Sequence, residues 1–152
     1  AALHSWAPPS KRVFTTMGLM FTSVYAAIIA SNYFLQLQTV RLNLIGGNLE
    51  GLSLLALPNL RSAFFALDVI GYGFLSFAAI VVCPIFTGNR LHSWIRWLLI
   101  VVGVIGVFGM VIAPLDLPLV VLAGSGLWAI VFPAVMVLIA IMFKKHASAQ
   151  KM

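Results

Sequence analysis

Few side chains in this sequence are equipped for chemistry. There are three acids, Glu50, Asp68 and Asp116, three histidines, His4, His92 and His146, and a single cysteine, Cys83. Asp68 sits inside the apolar run LDVIGYGF. A carboxylate there must reach water, a cation or hydrogen-bond donors, because insertion of Asp at the centre of a membrane helix costs about 2.5–3.5 kcal/mol. The groups that could answer it are Asn32, Tyr33 and Gln36 in SNYFLQLQ, Tyr72 one turn beyond Asp68, and Arg41 or Arg61 as a counter-charge from above. Together they read as a ligand or ion site for a small cation, a proton or a polar molecule. A structural alternative is an interfacial Asp near the positive start of its own helix, simply hydrogen-bonded.

Other chemistries lack their parts. The lone cysteine excludes an internal disulfide and a CxxC redox pair. Followed by Pro84, it reads as a buried small residue at a helix end. Ser125 lies between glycines in AGSGL, without the full nucleophile elbow and without a histidine at its depth. No zinc-protease or phosphate-loop motif is present. All three histidines fall outside the apolar runs, so a bis-His haem is not expected. These absences predict a protein with no catalytic residues, no metal site and no cofactor.

The elements that must hold Asp68 and its neighbours follow from hydropathy. Of 152 residues, 62% are hydrophobic and 8% charged, against about a quarter charged in a soluble domain. Mean hydropathy is +1.11. A hydrocarbon core about 30 Å thick takes about 20 helical residues. Four runs are long enough: Val13 to Leu37, Ala63 to Phe86, Trp94 to Ala113 and Leu117 to Phe143. The prediction is an all-α membrane protein, one domain, built as a four-transmembrane-helix bundle. The first run is longer than a signal-peptide core and lacks a small-residue cleavage site, so it reads as a retained helix.

Charge sets the expected orientation. Lys11, Arg12, Arg90, Arg96, Lys144, Lys145 and Lys151 fall on one side. Arg41 and Arg61 fall on the other with the three acids, so the sides carry +7 and −1. The positive side should be cytoplasmic, with both termini there. Topology thereby accounts for the pI of about 10.1, and nucleic acid is not an expected partner. Membrane lipids are.

Connections are short except one. Trp6 is placed at the headgroup level, with Ser10 as cap of the first helix. PLDLP is a tight turn in which Asp116 is expected to cap the fourth helix. Between Gln38 and Ser62, GGNLEGLSLLALPN predicts a short interfacial helix capped by Asn48 and running to Leu57, with Pro58 and Asn59 leading into the next span. Gly103, Gly106, Gly109, Gly124 and Gly126 predict close internal helix packing. Trp128, about 16 Å down the fourth helix, needs a partner for its indole N–H, and Tyr25 lies at comparable depth. Pro133 should free a backbone carbonyl nearby, and the expected surroundings are a packed aromatic core rather than a ligand cavity. Asn32 and Asp68 each lie about 7–8 Å from the outer end of their helices, which is why they are paired here.

WAPP, NYFLQL, EGLSLL and LDVIGYGF, in this order, resemble a group of uncharacterised bacterial four-helix integral membrane proteins. The resemblance implies the fold and an acidic residue at the position of Asp68; it implies no activity. With the charge pattern it predicts a bacterial inner (plasma) membrane protein. The functional expectation is a non-catalytic accessory or assembly subunit bound laterally to another integral membrane protein. The alternative is a small transporter or ligand sensor using Asp68.

Overall fold

The computed structural model describes residues 1–56 and 59–149. Among the described residues four helices are long and apolar enough to cross a membrane, and there is no strand. The helices are α1 (Ala2–Trp6), α2 (Arg12–Leu35), α3 (Arg41–Ile45), α4 (Ala63–Val82), α5 (Arg90–Ile112) and α6 (Pro118–Ala149). α2, α4, α5 and α6 are the spans of a multi-pass membrane protein.

The expected spans hold in place but not in length. α2 does not stop at Leu37: it passes through a π-helical turn at Gln36–Val40 and continues as α3. The whole rod, Pro9–Ile45, is 37 residues and so about 55 Å long, well beyond the hydrocarbon thickness. Loss of apolarity after Leu37 is not a helix breaker. The rod ends only at Gly46 and Gly47, where φ reaches +73° at Gly47 and a side chain would be strained. Asn48 closes this helix rather than opening another, its N–H donating to the Asn43 carbonyl (2.9 Å) and its side-chain amide to Asn43 Oδ1 (3.0 Å). The predicted interfacial helix reduces to one 3-10 turn at Leu52–Leu54. Leu57 and Pro58 lie outside the described residues, as does Lys151.

α4 begins on Ser62, whose hydroxyl accepts from the Phe65 N–H (3.1 Å). α5 begins on Asn89, which accepts from His92 N–H, so it starts four residues before the expected Trp94. α6 runs unbroken through Pro133. Asp116 does not cap it: at φ +54° it turns the chain and gives its carboxylate to Arg61.

Each span packs against its neighbours in sequence, α2 on α4, α4 on α5 and α5 on α6, so α2 and α6 are the two flanks. Glycines on α4 make these approaches possible. Gly71 and Gly73 are two residues and so about 200° apart around the helix. Gly71 faces Ile28 and Ile29 of α2, and Gly73 faces Met110 of α5. Across the α4–α5 contact, Gly103 and Gly106 lie against Ser76 and Ile80. Gly109 and Gly126 have no such neighbour, and Gly124 meets only Ile105, at 3.9 Å. The close-packing expectation therefore fails for these three.

The buried core cluster lies at the basic end, where Ile95, Leu99 and Val102 of α5 meet Val135, Ile139 and Met142 of α6. The amino-terminal arm completes it. Trp6 is held within the protein, packing among Phe86, His92 and Phe143, with ring centroids 5.5–6.4 Å away. Ala7 is buried beside it. His4 Nδ1 meets the Thr15 hydroxyl at 2.9 Å. Ser10 lies in a 3-10 turn and caps nothing with its side chain; Lys11 there donates to the Pro84 carbonyl (2.7 Å). The arm is thereby bound to the α4–α5 connection.

Candidate functional site

The half of the bundle away from the basic end is less well filled. A cavity of about 700 Å³ opens between α4, α5 and α6. α4 contributes Phe65, Asp68, Val69 and Tyr72; α5 contributes Ile105, Gly106, Phe108, Gly109 and Ile112; α6 contributes the run from Leu119 to Ala129, except Leu122, Gly126. The bare backbone at Gly109 and Gly124 is part of what makes the room: nothing within 4 Å would meet a Cβ at Gly109.

Asp68 and Tyr72 share this wall, one helical turn apart as the spacing requires. The remaining predicted partners do not join them. Asn32 is fully buried between α2 and α4, its amide donating to the Phe64 carbonyl (3.0 Å). Gln36 donates to the Leu55 carbonyl (2.6 Å) and ties the long loop to the π-helical turn. Tyr33 is exposed and packs its ring on the edge of Phe64. Arg61, proposed as a counter-charge from above, is committed to Asp116. The depth match between Asn32 and Asp68 was real, but they serve different helix contacts.

Asp68 is left unanswered. Its Oδ1 is buried and has no hydrogen-bond partner among the described residues. The wall contains no basic side chain. A carboxylate in such surroundings is stabilised by whatever positive or proton-bearing group enters the cavity.

The cavity floor is aromatic. Trp128 stacks on Phe132 (centroids 4.6 Å, 9° between planes) and meets Tyr72 edge-on at 5.0 Å. Tyr25 does not reach Trp128: Tyr72 stands between them, its ring 5.4 Å from that of Tyr25. The Trp128 indole N–H is buried and likewise without a partner among the described residues. Pro133 has no N–H to offer the carbonyl four residues earlier, which is that of Ala129 in the cavity wall. The packed aromatic core expected around Trp128 is thus the floor of a cavity.

In the sequence Trp128 groups with Pro133 by depth, while Ser125 and Asp68 stand apart from them; the cavity unites Trp128, Ser125 and Asp68 in one wall. The signal available in the sequence was depth: Asp68 and the glycines of α5 and α6 all fall in the half of the bundle away from the basic residues. Of the histidines, His92 Nδ1–H donates to the Thr87 carbonyl and His4 Nδ1 pairs with the Thr15 hydroxyl, both at the basic end rather than beside Ser125. No group of three His, Cys, Asp or Glu residues placed to hold a metal occurs among the described residues.

These features define a class, a multi-pass all-α membrane protein with a large apolar cavity and one uncompensated acid in its wall. No family model matches the chain, and no curated protein or solved structure does.

Proposed function

We propose that this is a non-catalytic, ligand-binding protein of a bacterial inner membrane, a small transporter or sensor whose binding site is the Asp68 cavity. The observation that carries this reading is the buried Asp68 oxygen without a partner in the wall of a cavity of about 700 Å³. Ligand pockets are typically about 300–1,000 Å³, largely apolar, with a few convergent polar groups. Of the three buried side-chain atoms without a partner among the described residues, two line the cavity, an acceptor on Asp68 and a donor on Trp128, and provide such points; the third, Asn32 Oδ1, lies outside it. The accessory-subunit reading draws on a different observation: α6 packs on α5 alone among its principal contacts, leaving apolar side chains such as Ile130 and Val137 exposed.

One isolation separates the two. Protein taken from its native membrane in mild detergent should run without a stoichiometric protein partner, and extracted small molecules should raise its melting temperature. Asp68→Asn should remove most of that rise while leaving the unliganded midpoint nearly unchanged, because no hydrogen bond to the carboxylate is lost. Retention of a stoichiometric membrane protein, with no small-molecule effect, would favour the subunit reading instead.

The orientation proposed is cytoplasmic for the basic end, with both termini there, by retention of Lys and Arg. Single cysteines on a Cys83→Ala background test it. Positions 50 and 116 should react with an impermeant reagent added outside, and positions 11, 90 and 145 should react only after permeabilisation. Labelling of position 90 in intact cells would invert the topology.

A further inference from the structure

We infer that the occupant of the cavity is a lipophilic organic cation that enters sideways from the bilayer; this rests on reading the cavity as a ligand site. Three observations converge on that chemical class.

The first is charge. Asp68 is the one ionisable acid in the wall, no basic residue accompanies it, and the nearest arginine in sequence, Arg61, is held by Asp116. The other electron-rich groups point the same way. Tyr72 and Trp128 present aromatic rings to the cavity, and the Ala129 carbonyl lacks its helical donor. Carboxylate, carbonyl and π systems all favour a cation and repel an anion.

The second is donor number. A calcium ion takes about 6–8 oxygen ligands, and a magnesium ion a near-octahedral set. The wall supplies one carboxylate amid side chains that are mostly hydrocarbon. A hydrated metal ion would lose its water to partners that cannot replace it. A cation carrying its own apolar shell loses little water and gains contact with Phe65, Ile105 and Ile112.

The third is the mouth. Phe108, Leu119 and Leu127 belong to the wall yet are 55%, 81% and 50% exposed. Phe108 and Leu127 lie within apolar spans, where such exposure faces acyl chains, and Leu119 stands at the outer end of the opening. The opening extends from the start of α6 at Leu119 to Leu127, about 12 Å along the helix axis. A ligand already dissolved in the membrane can pass this opening without crossing a polar layer.

The test uses three aromatic probes of similar bulk and different charge: tetraphenylphosphonium, tetraphenylborate and neutral triphenylphosphine oxide. Affinities are measured on the purified full chain in detergent by calorimetry and by thermal shift. Tetraphenylphosphonium should bind at least tenfold more tightly than the neutral probe, and tetraphenylborate should not bind. Asp68→Asn should bring the cation and neutral affinities within about threefold of each other. Gly109→Leu, which fills the cavity from a position with nothing within 4 Å, should abolish binding of every probe while the protein still melts cooperatively. If the neutral or anionic probe binds as tightly as the cation and Gly109→Leu still blocks it, the cation inference fails and the cavity remains a ligand site. Absence of binding by all three probes, or binding indifferent to Gly109→Leu, overturns both.

Discussion

Gly106→Val should be among the most damaging single substitutions in the spans, whereas Gly109→Leu, three residues along the same helix, should be tolerated. A Cβ at Gly106 would run into the side chain of Ser76, which is fully buried and whose hydroxyl is already given to the Tyr72 carbonyl (2.8 Å). Rotating the Ser76 hydroxyl does not relieve the clash, because Ser76 Cβ itself would lie 2.7 Å from the added Cβ. Inserting methyl groups into a filled contact costs about 1–3 kcal/mol, and here the strain falls on the α4–α5 seam, which also holds one side of the cavity. The melting midpoint in detergent should fall by several degrees, and ligand stabilisation should fall with it. At Gly109 the added side chain enters the cavity, so the midpoint should stay near that of the parent or rise. Equal loss at both positions would show that the cavity is closed in the membrane-extracted protein.

Trp6→Ala should have a comparably large effect, although Trp6 precedes the first span. Its ring is surrounded by Phe86, His92 and Phe143, which come from the α4–α5 connection, α5 and α6. Removing it leaves a hole where three elements converge. Trp→Ala in a core costs about 3–5 kcal/mol, and the lower end applies to this half-buried ring. The loss should appear as a lower melting midpoint and as faster proteolysis at the arm. Trp6→Phe, which keeps the stacking on Phe86, should recover most of it. An unchanged midpoint in Trp6→Ala would return Trp6 to the headgroup role that its neighbourhood in WAPP suggests.

The amino-terminal arm illustrates why some of the structure was not legible in the sequence. Two prolines, Pro8 and Pro9, separate α1 from α2, and a short segment outside the apolar runs reads as a loose interfacial end. Its docking depends on side chains about 80 and 137 residues away, Phe86 and Phe143, and no local pattern encodes that encounter. The long loop failed for a different reason. A change of polarity after Leu37 does not end a helix; the backbone stops being helical at the pair Gly46 and Gly47, where α3 ends.

The number of spans, their order and the placement of the basic residues were determined by the sequence alone. Each depends on a one-dimensional quantity: the length of an apolar run against the thickness of hydrocarbon, or the position of a charge relative to its end. The depth of Asp68 belongs to the same kind of fact, as does its sharing a helix face with Tyr72. Which neighbour that face meets does not. α4 packs against α2 on one side and α5 on the other, and the choice between them is made by Gly71 against Ile28 and Ile29, and Gly73 against Met110. Tertiary packing therefore decided that Asn32 bonds a backbone carbonyl while Asp68 turns to the gap between α5 and α6. It also decided that Gly109, Gly124 and Trp128 border a cavity rather than fill a core, because the buried α5–α6 core is concentrated towards the basic end. Azimuth and convergence are properties of several helices at once, and no single segment carries them.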